Sequence, residues 1–241
     1  MNTVKFNKGS VKMVAHRGVS GIETENSNFA FVAAGSRTYF GIETDVHRTA
    51  DGKYIIIHDD RTGRVSEADL PVEGSCYEAL RSIRLRDRFT GLTREDIFLP
   101  DLIDYVNICK KYDKIGVLEL KNPMSPEDCE NIINIIRSAD YLQGIIFISF
   151  FYDNLLNVKK ILPESNCQFL CGELDEGWFN KMAADKIDVD IHYPTLMGHP
   201  DYMESFKKRG IKVNCWTCDS PEDGEKLAEM GVDFITSNIL E

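Results

Sequence analysis

The stretch Gly41-Ile-Glu-Thr-Asp-Val-His-Arg-Thr-Ala-Asp-Gly-Lys-Tyr-Ile-Ile-Ile-His58 decides the fold of this 241-residue chain. It holds two apolar, β-branched runs, Ile42 to Val46 and Tyr54 to Ile57, which are typical of strands. The residues between these runs are too few for a crossover helix, and the dipeptide Asp51-Gly52 is a strong signal for a hairpin turn. The stretch therefore predicts a short antiparallel β-hairpin.

The hairpin also brings chemically interesting residues together. Glu43 and Asp45 are two positions apart in the first strand, so their side chains point to the same face. If Asp51 and Gly52 form the turn, counting outwards pairs Asp45 with His58 across the two strands. We therefore expect a carboxylate and an imidazole to lie side by side.

Around the hairpin, short β-rich runs alternate with helical stretches along most of the chain. The further strand candidates are Lys12 to Ala15, Ile115 to Leu120, Ile145 to Ser149, Cys167 to Leu170, Val189 to His192, Ile211 to Trp216 and Val232 to Thr236. They are brief, rich in Ile and Val, and bounded by Gly, Asp or Asn, as strands of a buried parallel sheet should be. With the second hairpin strand set apart, eight candidates remain. We expect an α/β fold of the TIM type, a (β/α)8 barrel.

Amphipathic stretches separate most of these strand candidates. One runs from Pro126 to Arg137, with Ser125 placed to cap its start. Another opens at Ser220, and Gly231 follows its end, where a left-handed residue is often needed. Such helices are what a parallel sheet requires, because consecutive parallel strands need a crossover connection.

Residues 61–98 fit this alternation poorly. They are charged and contain one short helical piece around Tyr77 to Ile83. We expect them to form a small excursion after the third strand, inserted over one face of the barrel. The rest of the pattern is continuous, so we expect residues 1–241 to form a single domain.

The composition limits the classes of partner. The formal net charge is -11. A surface this acidic repels nucleic acids and anionic membranes, which are bound by clustered Lys and Arg, so we expect neither a nucleic acid partner nor stable membrane association. The N-terminal residues lack the apolar core of a signal peptide, and the longest apolar run, Ile145 to Phe151, is too short to span a bilayer. We expect a cytoplasmic protein, whose oligomeric state the sequence does not indicate.

The cysteines raise a metal or redox alternative. Cys215-Trp-Thr-Cys218 has a spacing found in redox and zinc sites, and Cys167 and Cys171 would supply a second pair. Both pairs lie in apolar β-like runs, where a buried cysteine behaves as a small hydrophobic residue. We expect them to serve packing.

Polar residues interrupt strand ends where apolar residues are expected. His16, His58 and Glu119 end three of the strands, and Glu43 and Asp45 lie within another. These side chains can converge, because the C-terminal strand ends of a barrel meet at one face. A lone acid or histidine is usually structural, but three acids at one barrel mouth destabilise one another without a cation. Three hard oxygen donors suit Mg²⁺ or Ca²⁺, so we expect one divalent cation there.

Motifs in the first half of the chain occur in a specific order and spacing. They are Val14-Ala-His-Arg-Gly18, Glu25-Asn26, Ile42-Glu-Thr-Asp-Val46, Asp51-Gly52, His58-Asp59 and Leu118-Glu-Leu-Lys121. Less specific motifs follow later in the sequence: Ser149-Phe150, Trp216-Thr217 and the segment Gly231-Val-Asp-Phe-Ile-Thr236. Together they resemble the glycerophosphodiester phosphodiesterase family over nearly the whole chain. The resemblance implies a metal-dependent phosphodiesterase on a (β/α)8 barrel.

The resemblance also implies the chemical roles. The metal-binding acids of the family correspond to Glu43, Asp45 and Glu119. Its catalytic histidines correspond to His16 and His58, which we assign as general base and general acid, respectively. The expected reaction is hydrolysis of a small-molecule glycerophosphodiester to an alcohol and glycerol 3-phosphate. By resemblance, the glycerol hydroxyl attacks first and forms a cyclic phosphate, which water then opens.

Five further residues are expected to bind the substrate. Arg17 and Lys121 resemble the phosphate-contacting cations of the family. Glu25 belongs to one of its motifs. We expect the aromatic side chains of Phe150 and Trp216 to line the pocket, because aromatic faces attract a choline-like cation.

The chain departs from the family pattern in two places. It reads Thr24-Glu-Asn-Ser27 where Pro-Glu-Asn-Thr is usual, and Thr236-Ser-Asn-Ile239 replaces a usual Thr-Asp. We expect neither change to touch a catalytic group. Two alternative functions are a related lyase on phospholipid headgroups and a non-catalytic module that binds metal and phosphate. The first needs a membrane-engaging rim that the sequence does not show, and the second is favoured only if a histidine is missing.

Overall fold

The computed structural model describes residues 2–241 and shows a closed β-barrel. The strands are β1 (Lys12–Ala15), β2 (Gly41–Arg48), β3 (Tyr54–Ile56), β4 (Arg84–Arg86), β5 (Thr93–Phe98), β6 (Ile115–Leu120), β7 (Ile145–Ser149), β8 (Asn166–Cys171), β9 (Asp188–His192), β10 (Val213–Trp216) and β11 (Phe234–Ser237). All except β3, β4 and β5 pair in parallel in one ring, in chain order, and β1 closes it by pairing with both β2 and β11. The expected (β/α)8 barrel is confirmed.

Helices connect the barrel strands on the outside. They are α1 (Asn28–Gly35), α2 (Tyr77–Arg81), α3 (Leu102–Lys111), α4 (Pro126–Ser138), α5 (Tyr152–Ile161), α6 (Glu176–Asp185), α7 (Tyr193–Gly198), α8 (Asp201–Arg209) and α9 (Pro221–Met230). The predicted caps are present. Ser125 forms a capping box with Asp128 at the start of α4, and Gly231 ends α9 with a φ of 86°, in the left-handed region that glycine favours. Among residues 2–241, no helix combines the length and apolarity needed to cross a bilayer.

The barrel separates two apolar layers. The larger lies between the strands and the helices. The smaller fills the barrel interior with residues from five strands: Val14, Val117, Ile146, Ile148, Leu170 and Phe234. Above this apolar plug, inward positions at or just after the carboxyl ends of β1, β2, β6 and β9 are polar, and these residues mark the end of the barrel that carries the site.

The hairpin forms as predicted, but its register was wrong by one residue. β2 and β3 are antiparallel with Val46 opposite Ile56, which places Asp45 level with Ile57 instead of His58. The loop contains three residues, and Gly52 takes a left-handed φ of 75° at its end. A three-residue loop with a left-handed glycine shifts the pairing by one position relative to a two-residue turn.

Residues 61–98 contain more structure than the sequence indicates. Besides α2, they form a two-stranded antiparallel sheet from β4 and β5, which was not predicted. Their own small apolar cluster packs beneath β3. The segment also contacts the chain beside the barrel mouth, since Thr24 bonds to the backbone of Arg86 and Arg88.

Candidate active site

A cavity of about 90 Å³ opens at the carboxyl ends of the barrel strands. Its walls include His16 from the end of β1, Glu43 from β2, His58 after β3 and Glu119 from β6. The barrel fold therefore brings to one cavity residues that are more than one hundred positions apart in the chain.

Three carboxylates meet at one side of this cavity. Glu43, Asp45 and Glu119 each contribute an oxygen atom, and these atoms lie within 4.8 Å of one another. The geometry follows from the sheet: Glu43 and Asp45 share the inner face of β2, and Asp45 is the register partner of Glu119 on β6. All three are buried.

The electrostatics show that this cluster is short of positive charge. Burial and the charge of Asp45 raise the pKa of Glu43 well above its usual range. The same two causes raise the pKa of Glu119 to about 8. Burial opposes ionisation of Asp45 too, but Lys121 and Arg17 outweigh it and lower the pKa of Asp45 to about 2. Three hard oxygen donors that repel one another in a buried cluster fit a divalent cation of the Mg²⁺ or Ca²⁺ type.

Two fixed cations border the cluster. Lys121 Nζ lies 2.9 Å from Glu119 Oε1 and 3.6 Å from Asp45 Oδ1. The guanidinium of Arg17 lies 3.7 Å from Asp45 Oδ2, and the backbone N–H of Arg17 donates to Glu43 Oε2 at 2.7 Å. Arg17 Nε is buried without a hydrogen-bond partner among the described residues.

The backbone turn after β1 depends on Gly18. Its φ is 76°, and a Cβ atom there would lie 2.6 Å from Ala30 Cβ, so only glycine fits. The Gly18 N–H donates to the carbonyl oxygen of Glu43, which fixes the turn against β2. The turn thereby holds His16 and Arg17 beside the acidic cluster.

His16 is held by an amide rather than by a carboxylate. Its Nδ1 lies 2.7 Å from Asn238 Oδ1, and the Asn238 amide nitrogen donates to Asp219 at 2.6 Å. Ser20 also donates to Asn238 Oδ1. Because the Asp219 carboxylate accepts, the amide NH₂ must face Asp219 and the amide oxygen must face His16. His16 Nδ1 therefore carries the proton, and Nε2 is left as an acceptor.

His58 has the opposite kind of partner. Its Nδ1 lies 2.6 Å from Asp59 Oδ1, and Arg64 donates to the other oxygen of Asp59. Burial would raise the pKa of Asp59, but the bonds from Arg64 and His58 outweigh it and lower that pKa to about 2. An ionised carboxylate therefore faces the ring of His58.

The two histidines consequently differ in basicity. Burial and the neighbouring Arg17 charge lower the pKa of His16 to about 4. Burial also lowers the pKa of His58, although the Asp45 charge opposes this. His16 is neutral near pH 7, whereas the imidazolium form of His58 has a carboxylate to stabilise it.

The family model described as "Glycerophosphoryl diester phosphodiesterase family" matches residues 16–240. The chain belongs to this family. It is therefore an enzyme of the phosphoric diester hydrolase class. The family match confirms the resemblance seen in the sequence motifs.

Relatives cover the same length of chain. The chain is 29% identical to a glycerophosphodiester phosphodiesterase of Caldanaerobacter subterraneus subsp. tengcongensis over 234 residues, which are 94% of this chain and 93% of the relative. A crystal structure of a glycerophosphodiester phosphodiesterase from Parabacteroides distasonis is 28% identical, with a TM-score of 0.79 over 95% of this chain and 93% of that one.

A third relative shares the fold at lower identity. The structure of an Oleispira antarctica phosphodiesterase in complex with the product sn-glycerol-3-phosphate has a TM-score of 0.86 and 22% identity. It covers 98% of this chain and 96% of its own. At this identity the likeness shows the barrel fold.

The structure brings the predicted site residues to one mouth of the barrel. Phe150 and Trp216 line the cavity and contact each other edge to face, with ring centroids 5.5 Å apart. Glu25 lies beside it, but its carboxylate is engaged by Arg17 and Arg64. Glu25 is thus placed to orient Arg17. Both of its carboxylate oxygens already accept hydrogen bonds from guanidinium groups.

Several residues of the site were missed from the sequence. Asn26 donates to Asp45 Oδ2 at 2.8 Å, and Asn238, Asp219 and Asp190 were not predicted. The expectation that the departure at residues 236–239 touches no catalytic group was wrong, because Asn238 bonds directly to His16.

Neither cysteine pair forms a disulfide. All seven cysteines lie in the described part of the chain and are free, and six of them are buried. Burial raises the pKa of Cys215 well above its usual range, which keeps the thiol neutral.

Proposed function

We propose that this enzyme hydrolyses glycerophosphodiesters to an alcohol and glycerol 3-phosphate, with His16 and His58 as the acid–base pair and one divalent cation. The observation that carries the proposal is the convergence of two differently tuned imidazoles and three carboxylates on a single cavity. The sn-glycerol-3-phosphate in the Oleispira antarctica structure supports the choice of product.

Glu43, Asp45 and Glu119 would hold the cation. Once bound, a Mg²⁺ or Ca²⁺ ion neutralises negative charge on a phosphate oxygen and lowers the pKa of a bound hydroxyl. The carboxylates suit either ion, because the two differ in cavity size and ligand number rather than in ligand type. Asn26 keeps one oxygen of Asp45 in place by its amide hydrogen bond.

Arg17 and Lys121 supply the fixed positive charge for the phosphate. Both are held against the acidic cluster by ion pairs, and Arg17 lines the cavity. The arrangement explains how a chain with a net charge of -11 admits an anionic substrate. Positive charge preorganised in a buried site stabilises the transition state more than the same charge in water does.

The hydrogen bonds of the two histidines support the proposed roles of base and acid. His16 Nε2 lacks a proton, because Nδ1–H donates to Asn238, so His16 removes the proton from the attacking hydroxyl. The Asp59 carboxylate at His58 Nδ1 opposes the effect of burial and favours the charged form, and in the proposed reaction His58 in that form protonates the leaving alcohol. We further propose that the attacking hydroxyl is that of the substrate glycerol. The resulting cyclic phosphate would then be opened by water, with the two histidines in exchanged roles.

We also propose that residues 1–241 form one domain in which residues 61–98 cover one side of the barrel mouth. Two sets of hydrogen bonds support this proposal. Arg64 donates to the carboxylates of Asp59 and Glu25. Thr24 bonds to the backbone of Arg86 in β4 and of Arg88 in the loop that follows. This segment thereby helps to position His58 and Arg17.

Incubation with glycerophosphocholine and Mg²⁺ or Ca²⁺ tests the proposal directly. Phosphorus NMR should show glycerol 3-phosphate, and His16→Ala or His58→Ala should lower kcat by ~10²-fold or more. His199→Ala is the matched control, because His199 stacks on Tyr202 and does not line the cavity. Normal turnover by both catalytic-site variants would exclude the acid–base assignment. Choline phosphate in place of glycerol 3-phosphate would show cleavage of the other ester bond.

A further inference from the structure

Asp190 is a buried acid in the cavity that the reaction described above does not use. It lies on β9, is 1% exposed, and lines the same cavity as His16 and His58. Its Oδ1 atom has no hydrogen-bond partner among residues 2–241. A buried carboxyl without a partner is destabilising, so its presence inside a cavity points to a ligand that satisfies it.

The position of Asp190 indicates which part of a substrate it meets. In the closed ring of eight barrel strands, β9 lies four strands from β2 in either direction and three from β6, so Asp190 is on the wall opposite Glu43 and Asp45. The phosphate is drawn to the wall that carries Arg17 and Lys121. One of the two organic groups of a diester bound there can therefore extend towards β9.

The chemistry of Asp190 favours a hydroxyl group. Burial raises the pKa of Asp190 well above its usual range, and the Glu119 charge adds to the effect. A neutral carboxyl both donates and accepts, which matches an alcohol. A quaternary ammonium headgroup has no N–H to donate.

The surroundings complete a pocket for a small polyol. Trp216 Nε1 donates to the backbone carbonyl oxygen of Asp190 at 3.1 Å, which fixes the indole beside the acid. Phe150 packs edge to face against Trp216. Aromatic rings beside a buried acid suit a glycerol moiety, whose C–H groups pack on a ring while a hydroxyl bonds to the acid.

We infer that Asp190 binds the terminal hydroxyl of the glycerol moiety and selects glycerol diesters over diesters that lack this hydroxyl. The inference rests on the proposed function and deepens it. It predicts that the glycerol end of the substrate is buried and that the headgroup points outwards.

The test compares two substrates that differ in one hydroxyl. Glycerophosphocholine has the terminal hydroxyl, whereas the phosphocholine ester of propane-1,2-diol lacks it and keeps the neighbouring hydroxyl that forms the cyclic phosphate. The native enzyme should prefer glycerophosphocholine in kcat/KM by about 10- to 100-fold, the range expected for one hydrogen bond to a buried acid. Asp190→Ala should bring the two values together by slowing only glycerophosphocholine hydrolysis, and Asp190→Asn should retain part of the preference.

Asp188→Asn is the matched control, because Asp188 is at the other end of the same strand and its carboxylate accepts from the backbone of Lys212. It should leave the substrate preference unchanged. Circular dichroism confirms that each variant is folded. Undiminished preference in Asp190→Ala would overturn the inference while leaving the proposed function intact. A change in the ratio of choline to ethanolamine substrates would overturn it as well, since Asp190 would then face the headgroup. Failure of the native enzyme to cleave either diester would instead reject the proposed function.

Discussion

The raised pKa values in the acidic cluster predict that the cation-free protein loses stability as the pH rises. The pKa of a carboxyl group can be higher in the folded protein than in the unfolded chain. Such a group leaves the stability of the protein, its free energy of unfolding, undiminished at pH values below the pKa of the unfolded chain. That stability is lost as the pH rises towards the folded pKa. For Glu119 the window runs from its ordinary 4.5 to about 8. Glu43 shifts in the same direction.

The expected magnitude is large for a single group. The difference between the two pKa values of Glu119 corresponds to on the order of 5 kcal/mol, at about 1.4 kcal/mol per pKa unit. For a chain of this size, that translates into a decrease in Tm on the order of 10 °C between pH 5 and pH 8. Bound Mg²⁺ or Ca²⁺ should abolish the decrease, because it stabilises the ionised carboxylates.

Thermal unfolding monitored by circular dichroism measures the effect in chelator and in millimolar cation. Glu119→Gln mimics the protonated acid, so it should remove much of the decrease in chelator and should gain little from the cation. Glu95→Gln is the matched control, since the Glu95 side chain is 91% exposed. A Tm that is constant or rises from pH 5 to pH 8 in chelator would refute the reasoning. An undiminished pH dependence in Glu119→Gln would refute it equally.

Three further predictions concern the site. EDTA should abolish hydrolysis of glycerophosphocholine and Mg²⁺ or Ca²⁺ should restore it, so activity that survives thorough chelation contradicts the metal role. Asn26→Ala should lower cation affinity by about 10- to 100-fold, because it frees one oxygen of Asp45; unchanged affinity in a titration would show that the amide is dispensable. Nitrogen NMR of labelled His16 should show the proton on Nδ1, and Asn238→Leu should lower kcat more than it changes KM. A proton on Nε2 in the native protein would contradict the assigned base.

Much of the barrel could be predicted because buried parallel strands have a recognisable sequence pattern, a brief run rich in Ile and Val. The bounds expected for β1, β6 and β7 are those observed, since these strands are short and mainly apolar runs. The sequence Thr93-Arg-Glu-Asp-Ile-Phe98 gives no such signal, because β5 belongs to a two-stranded sheet that is half exposed and charged. Its pairing with β4 depends on contacts that no local pattern encodes.

The register of the hairpin shows a second limit. Asp51-Gly52 indicates a turn correctly, but it does not state how many residues the loop contains. The left-handed Gly52 closes a three-residue loop, and one additional residue moves His58 off its predicted position opposite Asp45. The cavity still includes His58, because the chain after β3 carries it over the barrel mouth.

The site was predictable where acidic residues interrupt a strand that is otherwise rich in apolar residues. Glu43, Asp45 and Glu119 were found in this way. Asp190 gives the same signal within β9 and was overlooked. Asn238 and Asp219 lie in loops, where polar residues are common, so only the folded chain shows that they orient His16.

Isothermal titration of the chelator-treated protein with Ca²⁺ or Mg²⁺ tests the central claim, that Glu43, Asp45 and Glu119 hold one divalent cation at the barrel mouth. The account predicts one binding site per chain in the native protein and its loss in Glu119→Gln, a variant expected to fold at least as stably without cation. Absence of binding to the native protein, or equal binding by Glu119→Gln, would contradict it.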